Sequence, residues 1–467
     1  LAVSAFPEGF PVVLITTLST GAYRMAKKNA IVNRMSTIET LGETTVICSD
    51  KTGTITKGEM TVKYLYLDEN LFEITGSGYN REGDFFQDGK KINLKKNVTA
   101  ELLFKSAILC TDAKINRTGE DHIYSIFGTP TEAALLIMAA KAEIFREDLN
   151  AIRKEEVPFS SERKLMSVLY NLNSKNYVFT KGAPEILIEK CKYVQRNNGI
   201  FTLTKRNKEK ILKLNTKINS DSLRSLALAY KIADSADKNS FEENLIFLGF
   251  AAMEDPPREE IKASIEICKQ AGIKVKMITG DNKETAISIA NQIGLEGETL
   301  TGEELDNITD EELKKSMNVT NIFARVNPEH KLRIVNALKQ NGEVVTMTGD
   351  GVNDAPALKA AHIGVAMGRN GTDVSRDVAD LTLKDDNFST IVAAIAEGRT
   401  IFNNMRKFVT YELSCNYAEI FIIFLGILIG LPLPLLAIQI LFMNIVTDDL
   451  PAITLGLNPS SKDIMKN

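Results

Sequence analysis

Three short apolar runs in this sequence each lead into an aspartate, and that repetition limits the possible fold more than any other feature. Val46–Ser49 leads into Asp50, Val275–Thr279 into Gly280-Asp281, and Val344–Thr348 into Gly349-Asp350. Short apolar runs bounded by turn residues read as buried strands. Helical stretches are expected after two of them, over Lys283–Ile293 and Asn353–Ala361. Alternating strands and helices predict a parallel sheet whose strand ends collect in one crevice. An aspartate at a strand's carboxyl end, beside a turn with free N–H groups, is placed for phosphate chemistry. Asp50 is therefore the candidate nucleophile, since carboxylates can form covalent intermediates. Lys51 and the turn at Gly53 favour negative charge there. A helix cap or turn residue would explain one such aspartate but not three. Three acids in one crevice make chemical sense if a cation and a phosphate bind between them.

Asp50-Lys51-Thr52-Gly53-Thr54, paired with Thr-Gly-Asp-Gly-Val-Asn-Asp-Ala-Pro at Thr348–Pro356, resembles the P-type ATPases of the haloacid-dehalogenase-like superfamily. The resemblance implies an α/β fold: a Rossmannoid phosphorylation domain, an inserted α/β nucleotide-binding domain, and transmembrane α-helices. It also implies roles. Asp50 would accept the γ-phosphate of ATP. Magnesium would be held by Asp50, the Thr52 carbonyl and Asp350. Thr52, Thr279, Gly280, Lys331 and Asn353 would hold phosphate oxygens, Asp354 would support their loop, and Lys51 and Asp281 join the catalytic group. Soluble relatives usually carry an acid two residues after the nucleophile, as general acid/base. Thr52 stands there instead, so the phosphoenzyme is expected to persist.

Composition sets outer limits. The 467 residues suffice for about three domains. A net charge of −4 excludes the basic excess of a nucleic-acid binder. Five scattered cysteines without Cys-x-x-Cys read as reduced thiols of a cytosolic body. The chain starts inside one apolar stretch, without an initiator Met, and ends just after another. It is expected to be part of a longer, multi-pass membrane protein (plasma or inner membrane if prokaryotic), with its large domains in the cytoplasm.

Leu1–Ser19 is apolar but broken by Pro7-Glu8-Gly9-Phe10-Pro11. A broken helix frees carbonyls, here at Ser4–Phe6, which a bilayer tolerates only around a cavity or against protein. Glu8 in such a run is a functional candidate. Arg24, Lys27, Lys28 and Arg34 place the following end in the cytoplasm.

From Thr61 to about Met253 polar loops alternate with strands such as Met166–Tyr170 and Tyr177–Thr180, and with helices over Thr131–Lys141 and Asn207–Ile218. This reads as an inserted α/β domain. Phe159 can stack on a base and Lys164 can reach phosphates. Gly182, after Lys181, allows close backbone approach. With Glu132, Arg224 and Arg325, these residues resemble the nucleotide contacts of P-type pumps; Ser161 departs from calcium pumps, which often carry arginine there. Lys331, early in a helix after Pro328, can project into the crevice. The Thr-Gly-Glu triplets Thr118–Glu120 and Thr301–Glu303 read as plain turns.

Phe408–Leu431 and Pro432–Leu450 form an apolar hairpin, each half near the ~20 residues that span a bilayer. Asn416 and Glu419 share one helical face, as do Asn444, Thr447 and Asp448. With Glu8 they offer only oxygen ligands, which suits a hard cation; calcium takes about 6–8 such oxygens. No cysteine stands beside Glu8, against copper or zinc pumping. The pattern resembles type IIA calcium pumps of the sarco/endoplasmic reticulum kind.

The expected organisation is a partial transmembrane helix and stalk at 1–35, phosphorylation domain at 36–60 and 255–400, nucleotide-binding domain at 61–254, stalk and helical hairpin at 401–456, and a tail at 457–467. The expected function is ATP-driven cation transport through an aspartyl phosphate, with calcium exported from the cytosol. Its partners are ATP, the bilayer, the cation, and an actuator domain and further helices of the same protein. Alternatives are a pump for sodium/potassium, manganese or protons, a soluble phosphatase, and a non-catalytic ion-binding membrane protein.

Overall fold

The computed structural model describes residues 9–116, 125–220, 223–233 and 237–466. Glu8, the carbonyls of Ser4–Phe6 and the triplet Thr118–Glu120 lie outside them. The chain divides into two compact units, Leu1–Ile55 with Glu259–Asn467, and Thr56–Arg258. These junctions differ from those expected at 60/61 and 254/255. The reason is a clasp at the base of the insert: the Thr56 hydroxyl and the Gly58 N–H donate to Asp255 (2.6 and 2.9 Å), and the Lys57 N–H donates to the Pro256 carbonyl (3.1 Å).

The first unit is built on eight strands: β1 (Ala30–Val32), β2 (Val46–Asp50), β3 (Lys274–Ile278), β4 (Glu298–Thr301), β5 (Thr320–Ala324), β6 (Val345–Gly349), β7 (Ile363–Met367) and β8 (Leu381–Leu383). Their order is β1-β8-β7-β6-β2-β3-β5-β4. All neighbours are parallel except β1 and β8. A parallel sheet is covered on both faces, so its strands are apolar throughout rather than alternating. Ile47 packs with Ile265 and Ile289 on one face, while Val46 and Cys48 pack with Ile334 and Leu338 on the other. Asp50 pairs with Ile278, and Met347 with Cys48, so the carboxyl ends of β6, β2 and β3 are level.

Lys276 breaks the apolar pattern of β3. It is fully buried, and its ammonium donates to the carbonyls of Met317 and Thr320 and to Asn321 (2.7, 2.6 and 3.1 Å). Burial pulls its pKa down to about 8.

Two expected elements differ. Instead of one helix over Asn353–Ala361, a 3-10 turn at Val352–Asp354 precedes a helix at Ala355–Ala360. Asp354 accepts the Asp350 and Gly351 N–H groups (both 3.2 Å), which curls the chain before the helix starts. Thr301–Glu303 opens a helix over Gly302–Asn307 and is not a plain turn; Thr301 and Glu304 form its capping box.

Helix α1 (Phe10–Lys27) and the long helix α2 (Phe388–Leu428) carry the apolar part. The long helix has 41 residues, about 60 Å, and begins well before the expected Phe408. Near its start Gly398 meets Gly42; a Cβ on Gly398 would lie 2.8 Å from the Gly42 nitrogen. The segment leading into β2 therefore packs backbone-to-backbone on this helix. Gly430, at φ +79°, turns the chain. A second apolar helical span covers Ala437–Gly456, running past the expected end at Leu450. Pro451 does not stop it, because it occupies the first turn of the final helical segment, where a missing N–H costs little. Both spans are long and apolar enough to cross a membrane.

The sheet of the second unit is antiparallel along its main path, and one further strand, Cys191–Arg196, runs parallel to Leu245–Glu254. Its main path runs through Thr61–Leu67, Leu245–Glu254, Arg224–Ile232, Lys175–Gly182, Leu165–Leu172 and Ala151–Val157. Helices Val98–Leu109 and Pro130–Lys141 cover it around Phe104, Leu135 and Phe179.

Candidate functional site

Asp50 ends β2, and the backbone turns sharply at Gly53 (φ +76°). The Asp50 N–H donates to the Thr348 hydroxyl (2.9 Å), tying β2 to β6. The Thr52 N–H donates to one Asp50 carboxylate oxygen (3.3 Å). The Lys331 ammonium donates to the other (2.6 Å) and to Asp354 (2.8 Å). Lys331 is 7 % exposed. It reaches in from the first turn of a helix at Pro328–Gln340, whose Asn327 cap sets the entry. Burial opposes its charge, but Asp50 and Asp354 outweigh burial and raise its pKa.

Carboxylate oxygens of Asp50, Asp350 and Asp354 lie within 4.8 Å of one another. Burial, then the charges of Asp50 and Asp354, raise the Asp350 pKa. The other end of the crevice is closed by Lys51, whose ammonium donates to Asp281 (2.5 Å). Thr279 is buried, its hydroxyl accepting the Asp281 N–H (3.1 Å). Gly280 and Asn353 are exposed on their turns. Arg325 has a left-handed φ of +53° and donates its N–H to the Asp281 carbonyl (2.7 Å).

Three supports escaped the sequence reading. The Ser375 hydroxyl and the Thr372 N–H donate to the Asp350 carbonyl (3.1 and 2.9 Å). Asp386 accepts the N–H groups of Gly368, Arg369 and Asn370 (2.7, 3.0 and 2.9 Å), fixing a loop that meets the Gly53 turn. None carries a local sequence signal, because each partner is distant along the chain.

In the second unit, Lys181 is paired with Glu132 (2.5 Å). Glu132 lies in the first turn of the helix at Pro130–Lys141. Lys164, at φ +54°, ends the loop before Leu165–Leu172. A Cβ on Gly182 would lie 2.4 Å from the Lys164 carbonyl, so glycine is required for this approach. Arg224 starts the neighbouring strand at the same sheet edge, three residues before Ala227, the partner of Gly182. Phe159 is 59 % exposed on the adjoining loop, a large apolar ring held in solvent.

The apolar helices bury one stripe of α2: Phe408, Glu412, Asn416, Glu419, Ile423 and Gly426. Tyr417, Phe421, Leu425 and Leu428 point outward and are exposed. Asn444 is buried, and Asp448 is half-buried. Thr447 does not join them; it is exposed. A π-turn over Met443–Asp448 changes the helical phase, so the expected i, i+3, i+4 face does not hold. Glu412 was passed over in the sequence, although it stands four residues before Asn416, on the same face.

Residues 99–260 match the family model described as P-type ATPase, cytoplasmic domain N, and residues 432–467 match cation transporting ATPase, C-terminus. The whole chain is 43 % identical to calcium-transporting ATPase 1 of Bacillus cereus, of which it covers 51 %. It is 41 % identical to a calcium-transporting ATPase of Bacillus subtilis (53 % covered). It is also 41 % identical to the human calcium-transporting ATPase type 2C member 1 (50 % covered).

The chain belongs to the P-type ATPase family. It spans about half the length of the curated relatives it matches. For a P-type ATPase, the domain N match falls almost wholly within the antiparallel unit. The C-terminal match begins at Pro432 and takes in the second apolar span.

Proposed function

We propose that this chain carries the phosphorylation site, the nucleotide site and part of the ion path of an ATP-driven pump that moves calcium out of the cytosol. The observation that supports this best is the Lys331 ammonium held between Asp50 and Asp354, with Asp350 alongside. On this reading the first unit is a haloacid-dehalogenase-like phosphorylation domain, the second binds ATP through Phe159, Lys164, Lys181, Gly182, Glu132 and Arg224, and Arg325 of the first unit is a further nucleotide candidate.

An Asp50 carboxylate oxygen attacks the γ-phosphorus of ATP. An O–P bond forms as the bond to the β-phosphate oxygen breaks, and ADP leaves. Lys331 lies at the attacking carboxylate, where its positive charge positions that oxygen and lowers the repulsion between the carboxylate and the anionic phosphate. The Thr52 N–H, the Thr279 hydroxyl and the groups of Gly280 and Asn353 are donors for phosphoryl oxygens. Asp354 anchors Lys331 and the turn after Asp350.

Three carboxylates within 4.8 Å form an oxygen-only, acid-rich group that fits magnesium. Asp50, the Thr52 carbonyl and Asp350 would hold it, and when bound it supplies charge neutralisation to the transferring group. ADP is a good leaving group and needs no acid. Water would need a base, and Thr52 offers none, so the aspartyl phosphate lasts long enough to govern ion binding.

The transported cation is assigned to Asn416, Glu419, Asn444 and Asp448, with Glu8 outside the described residues and Thr447 turned away in this structure. Their oxygens suit calcium. In membranes carrying the complete polypeptide, acid-stable label from radiolabelled ATP is expected to require calcium. Dependence on sodium or potassium, or on manganese but not calcium, would reassign the cargo; absence of label with every cation would remove the pump reading. For the nucleotide, Phe159→Ala is expected to weaken ATP binding about tenfold through lost base stacking. Displacement of a fluorescent ATP analogue measures this, and an unchanged affinity would exclude Phe159 from the site.

A further inference from the structure

We propose that Glu412 and Asp449 form an additional capture position for a divalent cation, one helical turn from Asn416. The proposal rests on the transport reading above and adds a site to it. Glu412 is 4 % exposed, and neither of its carboxylate oxygens has a hydrogen-bond partner among the described residues. It belongs to the buried stripe of α2, followed at i+4 and i+7 by Asn416 and Glu419. Across from it on the second apolar span stand Asp448 and Asp449: Phe408, one turn before Glu412, packs with Ala452, about one turn after Asp449.

Asp449 is itself closely placed. A Cβ on Gly9 would lie 1.7 Å from its carboxylate oxygen, so the acid occupies room that only glycine leaves open. Acids on two packed helices thus stand near the backbone that starts α1. Arg406 and Lys407, nearby along α2, are exposed and off the buried stripe.

A buried carboxylate without donor or cation is costly in protein, and costlier where lipid replaces water. An apolar side chain would fill this position without that cost. The chemistry that offsets the cost is a hard divalent cation bridging two carboxylates. The position lies between the basic end of α2 and the Asn416–Glu419 pair, so a cation arriving from that end meets Glu412 first. Its role is loading, and Asp50 chemistry does not use it.

The test uses the complete protein in membrane vesicles, with equilibrium binding of radiolabelled calcium and calcium-dependent labelling from ATP. Glu412→Gln and Asp449→Asn are each expected to raise half-saturating calcium about tenfold. The double variant is expected to be no weaker than the more severe single, since both carboxylates hold one ion. Labelling by inorganic phosphate without calcium reports whether each variant is folded; if Glu412→Gln fails it, Asp449→Asn decides. Half-saturation within about twofold of the parent in folded variants would overturn the proposal, as would fully additive effects in the double. If the parent protein shows no calcium dependence, the transport reading fails instead.

Discussion

Asp50→Asn is expected to abolish acid-stable phosphorylation from ATP, a fall of at least about 10³-fold. The substitution keeps the shape of the side chain and removes the nucleophilic oxygen anion. Lys331 keeps Asp354 as a partner, and the Asp50 N–H keeps its bond to Thr348, so the crevice should stay assembled. ATP binding to the antiparallel unit should be unchanged, which separates lost chemistry from lost folding. Acid-stable label persisting in this variant would exclude Asp50 as the phosphorylated residue.

Lys331→Met is expected to be nearly as damaging, for a different reason. It leaves three carboxylates within 4.8 Å of one another and removes the ammonium between two of them. Breaking a buried pair by removing one partner costs about 3–5 kcal/mol. Phosphoryl transfer should fall by about 10²–10³-fold, the usual loss for a preorganised charge at a reacting centre. Magnesium should bind this variant more tightly, because a competing positive charge is gone. A merely structural lysine would lower activity without tightening magnesium, so the magnesium dependence of residual labelling decides between the two.

Much of the architecture was legible. An apolar run, a turn residue and an aspartate are neighbours in sequence, so the strand ends at Asp50, Gly280-Asp281 and Gly349-Asp350 can be read locally. The apolar spans are visible for the same reason, since about 20 consecutive apolar residues are a property of composition. What was not legible depended on distant partners or on helical phase. The burial of Lys276 depends on the carbonyls of Met317 and Thr320, which are distant along the chain. Thr447 leaves its expected face because of one π-turn, which no spacing rule anticipates. Glu412 looks like one more helix glutamate until burial leaves its oxygens without partners. The insert's junctions moved because Asp255 reaches back to Thr56 and Gly58.

By itself, the order of residues determined which segments become strands and helices, where the turns fall, and which acids stand at strand ends, because these follow from backbone preferences and periodicity over a few residues. Only the tertiary structure decided that β2 lies between β6 and β3, and that Lys331, 281 residues from Asp50, bonds to it at 2.6 Å. That choice belongs to the packing of the whole sheet, since many strand orders satisfy the same local pattern and only the one that buries both faces together brings those charges into contact.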